Sequence, residues 1–85
     1  MHDIHASNQI LKLALKYAKK NNLSKIKKIT VKLGHLIEHG QEVLPENLKF
    51  NIKMLAKGTI AEKTTIRIKK AKNKNILKLI EIQGD

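Results

Sequence analysis

Ile29-Thr30-Val31-Lys32-Leu33-Gly34 alternates apolar and polar residues and stops at a glycine. A period of two puts Ile29, Val31 and Leu33 on one face, so the stretch reads as a half-buried strand. Upstream the period is different. Ile10, Leu11, Ala14, Leu15, Tyr17 and Ala18 recur at three- and four-residue steps, which predicts a helix from about Asp3 to Asn21 with one buried face. Lys16, Lys19 and Lys20 fall toward its C-terminal end, where the helix dipole favours cations. Asn21 and Asn22 suit the stop, because asparagine tolerates the left-handed conformation.

Downstream, the polar run from His35 to Leu44 with Gly40 in its middle reads as a loop. Pro45 fits the first position of a helix, where its missing N–H leaves no bond unmade. Leu44, Leu48, Ile52 and Leu55 then carry helical spacing, and Gly58 closes the segment. Thr64 to Lys70 alternates around Ile66 and Ile68 as a second strand. Ala71 to Asn75 reads as a turn and Ile76 to Ile82 as a third strand. The expected fold is α+β in the order α-β-α-β-β, a three-stranded mixed sheet packed against two helices. The helix between the first two strands allows them to run parallel through a right-handed crossover. The short gap between the last two predicts an antiparallel hairpin, with Ile80 and Ile82 beside Ile66 and Ile68 on the buried face.

Eighty-five residues suffice for one domain, 1–85, with a thin core. There is no cysteine, hence no disulfide framework and no thiolate metal site, which fits a reducing compartment. No run approaches a membrane span, and no basic flank with an apolar core opens the chain, so a cytoplasmic location is expected. Eighteen basic residues face seven acidic ones, for a net charge of +11. Nucleic-acid binding is the obvious reading of such a charge. Against it, Arg67 is the single arginine and Tyr17 and Phe50 the only aromatics, where base readout uses arginine forks and unpaired bases stack on rings. Catalysis is excluded on inventory. There is no cysteine nucleophile, neither Ser7 nor Ser24 sits in a nucleophile elbow, and the four glycines are too scattered to cradle a phosphate.

The histidines carry the remaining chemistry. His2 and His5 open the chain, and His35 and His39 lie in the first long loop. A histidine at position 2 brings together the α-amine of Met1, its own backbone nitrogen and its imidazole, and the backbone nitrogen of Asp3 can complete a planar set of four. Nitrogen ligands in that geometry suit Ni(II) or Cu(II). His35 and His39 read as exposed polar residues.

Met1-His2-Asp3-Ile4, Ile10-Leu11, Val31, Leu33-Gly34, Leu36, Pro45-Glu46, Leu48, Phe50 and Gly58-Thr59-Ile60-Ala61-Glu62 together resemble the HypA/HybF family of nickel-insertion chaperones for [NiFe]-hydrogenase maturation. The resemblance runs from Met1 to about Lys70 and resumes in the last strand. It implies a metallochaperone that binds Ni(II) as cargo through Met1, His2 and Asp3. It also implies two partners, a nickel-binding GTPase of the maturation pathway and the hydrogenase large-subunit precursor. Asp3 stands where the family has Glu, which is harmless if only its backbone nitrogen ligates. His5, one helical turn from that start, is the best further ligand. The family's zinc module, two Cys-x-x-Cys pairs between the second and third strands, has no counterpart here, so structural zinc is not expected. The loop before Pro45 is longer than the family's, and His35 stands where it has Glu. Two rivals are a protein-interaction subunit of the same fold that has lost metal delivery, and a basic nucleic-acid-binding module.

Overall fold

The structure is a computed structural model that describes residues 3–38 and 40–85, with the backbone alone at 3, 4 and 38. Helix α1 (Asp3–Lys20) leads into the long strand β1 (Ile26–His35). A small ladder, β2 (Ile37–Glu38) with β3 (Gln41–Glu42), precedes helix α2 (Pro45–Leu55). Strands β4 (Thr65–Lys74) and β5 (Leu77–Gly84) complete the chain.

Helix α1 ends where the asparagines predict. Asn22 is left-handed at φ 59°. The Leu23 N–H reaches back to the Ala18 carbonyl at 2.8 Å and the Asn22 N–H to Lys19 at 3.2 Å. These two bonds are the Schellman closure, which satisfies carbonyls the helix leaves open. Pro45 is the first residue of α2, as its fixed φ favours. The helix stops at Leu55, before Gly58, and a series of turns follows. Within it Thr59 donates its hydroxyl to the Ala56 carbonyl at 2.6 Å and accepts from the Ala61 N–H at 3.1 Å. The Ile26 N–H then bonds the Ile60 carbonyl at 3.0 Å. The Gly58–Glu62 motif therefore anchors the start of β1, which is a structural role.

The sheet order is β4-β1-β5, with β1 parallel to β4 and antiparallel to β5. The parallel pairing and the mixed sheet are as expected. The hairpin is not. Strands β4 and β5 never pair, because β1 lies between them. This arrangement puts the most apolar strand at the centre, where Ile29 is flanked by Ile66 on one side and Ile82 on the other. A terminal hairpin would have left one edge of β1 open to water. Ile80 is displaced too. It falls in the register shift between Thr30↔Glu81 and Val31↔Leu79 and is 48% exposed. Strand β4 runs on to Lys74, so the expected turn at 71–75 shrinks to Asn75, left-handed at φ 57°. The expected loop at 35–44 contains the β2–β3 ladder, whose tight reversal uses Gly40 at φ +80°.

Helix α1 packs over β1 and β5, helix α2 over β4, and the helices pack on each other. Ile10, Ala14, Ile29, Val31, Leu48 and Ile52 are buried between them. Tyr17, expected inside, is exposed on the flank of α1 beside β5. The other face of the sheet carries no helix.

The absence of a zinc module is accommodated by a tight crossing. To reach the far side of β1, the chain after β4 passes over the end of β1. There the Gly34 N–H bonds the Ile76 carbonyl at 2.8 Å and the Asn75 N–H bonds His35 at 2.9 Å. A Cβ at Gly34 would overlap the Asn73 carbonyl oxygen and meet the Ile76 Cβ at 3.0 Å. Backbone bonds and an aliphatic core hold the described residues together. Far-ultraviolet circular dichroism should accordingly coincide with and without a chelator. A marked loss of helix on chelation would identify a metal-held fold instead.

Candidate metal centre

The start of α1 is fixed in place. Ala6 and Ser7 are fully buried, and the Ser7 hydroxyl donates to the Leu48 carbonyl in α2 at 3.4 Å. The first turns of both helices are thereby locked at one end of the molecule. The end of β1 arrives at that end as well, because α1 reverses into β1 through a short turn.

Met1 and His2 lie outside the described residues, and Asp3 is the first residue of α1. That position has a chemical consequence. The first four amides of a helix have no carbonyl four residues before them to bond, so the Asp3 N–H is not committed to the helix. His5 is exposed on the first turns of α1. His35 ends β1, and its Nδ1 lies 3.7 Å from Oε2 of Glu42 on β3, with both side chains about half exposed. His39 lies outside the described residues. Among the described residues no three His, Asp or Glu side chains converge on a common point, so the pair His35 and Glu42 is not a closed site. No helix of the described residues is long and apolar enough to cross a membrane.

The sequence matches the family described as "Hydrogenase/urease nickel incorporation, metallochaperone, hypA" over residues 1–76. It is 44% identical over 62 residues to the hydrogenase maturation factor HypA of Pyrococcus abyssi, and 36% identical over 62 residues to that of Pyrococcus furiosus. Each match takes in 73% of this chain and 42% of the relative, so the chain spans about two fifths of the length of these curated relatives. In fold it is similar to the Ni metallochaperone HypA from Helicobacter pylori, whose solution structure superposes with a TM-score of 0.79. That likeness covers 99% of this chain and 97% of the other at 13% identity. HypA proteins are metallochaperones and not catalysts, and with no cysteine these 85 residues cannot build a thiolate zinc site. The chain belongs to the HypA family.

Proposed function

We propose that this chain is a cytoplasmic nickel metallochaperone, a single nickel-binding-type domain over 1–85. It takes up Ni(II) at Met1, His2 and Asp3 and passes it on during [NiFe]-hydrogenase maturation. The carrying observation is that the sequence of a chain of this family opens Met1-His2-Asp3, with Asp3 the first residue of α1. The α-amine of Met1, the His2 imidazole and the amides of His2 and Asp3 supply four nitrogens. The helix dipole opposes a bare cation at its N-terminus but favours an amide that has lost its proton. Ligation through deprotonated amides suits that position for this reason. His5 is the available fifth ligand. A nickel-binding GTPase and the large-subunit precursor are the proposed partners.

Calorimetry with nickel on three proteins tests the site: the free-amine chain, an N-terminally extended chain, and His2→Ala. Extension turns the amine into an amide, and His2→Ala removes the imidazole. Each should weaken binding by more than the roughly 10–100-fold that follows loss of a ligand's supporting partner. Affinity should also fall as pH drops below neutral, since every ligand must shed protons to bind. Copper should bind at least as tightly as nickel. Asp3→Ala should leave affinity nearly intact, because only its backbone nitrogen is used. Equal binding by all three proteins would move the ion elsewhere, with His35 and His39 the first alternative.

The missing zinc module favours one rival, a same-fold interaction subunit that no longer delivers metal. Failure of the free-amine chain to bind nickel at all would select it.

A further inference from the structure

The register of the sheet sorts its side chains. Opposite the helices, Lys28, Thr30 and Lys32 of β1 stand beside Thr65, Arg67 and Lys69 of β4, and beside Gln83, Glu81 and Lys78 of β5. One cross-strand row is therefore Lys69–Lys32–Lys78, three ammonium groups abreast on three strands. Strands are about 4.8 Å apart, so the row spans roughly 10 Å. Like charges directly opposite one another destabilise a sheet, and among the described residues no ion pair offsets them. The ion pairs among the described residues are Lys27–Asp85 and His35–Glu42, neither of which is on this face. Among the described residues the acid that the register puts on this face is Glu81, and it accepts from the Gln83 amide at 3.2 Å.

We infer that this helix-free face docks a carboxylate-rich segment of another protein. Lys32, Lys69 and Lys78 form its centre, with Arg67 and Lys28 on the flank. An acidic segment lifts the repulsion along the row and gives Arg67 a planar carboxylate to fork onto. Ile80, raised by the register shift beside Glu81, offers an apolar contact at the rim. Nucleic acid fits less well. The two aromatics lie on the helices, so no ring is present to stack a base. The cationic area is also short for a strand of phosphates. The inference does not depend on nickel.

A fluorescent Glu-rich peptide with one central Leu is the probe, read by anisotropy at low salt. The triple variant Lys32→Gln/Lys69→Gln/Lys78→Gln is compared with Lys12→Gln/Lys16→Gln/Lys19→Gln on α1, which removes the same total charge. The sheet variant should bind about tenfold more weakly, and the helix variant should change roughly twofold at most, as distant screened charges do. Equal losses would reduce the face to net charge and overturn the inference. So would a duplex or single-stranded oligonucleotide that binds more tightly than the peptide through the same lysines. Lys32→Gln alone should raise the thermal midpoint at low salt, with the gain shrinking as salt rises. A lowered midpoint would remove the repulsion on which the inference rests.

Discussion

Gly34→Ala should destabilise the protein by about 3 kcal/mol, large for a single methyl group. The position does not need a left-handed backbone; what it needs is room. The chain between β4 and β5 crosses β1 at this point, and the new Cβ would have to displace the Asn73 carbonyl. That carbonyl cannot retreat freely, because Asn75 and Ile76 next to it are hydrogen-bonded to His35 and Gly34. Gly40→Ala is the control. Nothing lies within 4 Å of a Cβ there, but φ is +80°, so its penalty is backbone strain alone, about 1 kcal/mol. Urea unfolding of both variants separates the two causes. A Gly34→Ala midpoint equal to that of Gly40→Ala would mean that the crossing is looser than described.

Ile29→Ala should have the largest effect of any single truncation, about 4 kcal/mol. Ile29 is fully buried on the central strand, between Ile66 and Ile82 and beneath the helices, so the cavity left behind has little freedom to collapse. Domains of this size are stable by only about 5–15 kcal/mol, and the thermal midpoint should drop by on the order of 20 °C. Ile80→Ala, removing a half-exposed side chain at the register shift, should stay within about 0.5 kcal/mol. Comparable losses at the two positions would favour a sheet in which β4 and β5 pair directly.

Those two isoleucines also show what a single sequence reveals. Period alone placed α1, β1 and α2, because Ile10/Ala14/Ala18, Ile29/Val31/Leu33 and Leu48/Ile52 bury one face each and repeat at the spacing of their element. Pro45 and Asn22 marked ends through local backbone chemistry. Strand order is a different kind of information. A strand such as Leu77–Gly84 alternates in the same way whichever neighbour it pairs with, and the short gap after β4 suggested the wrong one. The advantage of flanking β1 on both sides belongs to the assembled sheet. The β2–β3 ladder was missed because two-residue strands of Ile-Glu and Gln-Glu carry almost no periodic signal. Tyr17 kept helical phase with the core yet sits at the rim of the helix stripe. At the proposed site, the Met-His start suggests ligand chemistry from sequence alone, while Met1 and His2 lie outside the described residues. The lysine row could not be read along the chain, since Lys32, Lys69 and Lys78 become neighbours only through the register.

Between Lys70 and Lys74 the pairing of β4 with β1 slips, while Leu33 on one side and His35 on the other keep their partners. Strands β4 and β5 each take their register from β1 and neither takes it from the other. The stretch joining them thus works as a socket. Sequence can be spliced into it while every rung of the ladders from Lys28 to Leu33 stays in place, and the entropic penalty of a longer tether grows only with the logarithm of its length. Gain of a whole module at this point is a change of attachment and leaves the ladders of the sheet as they were.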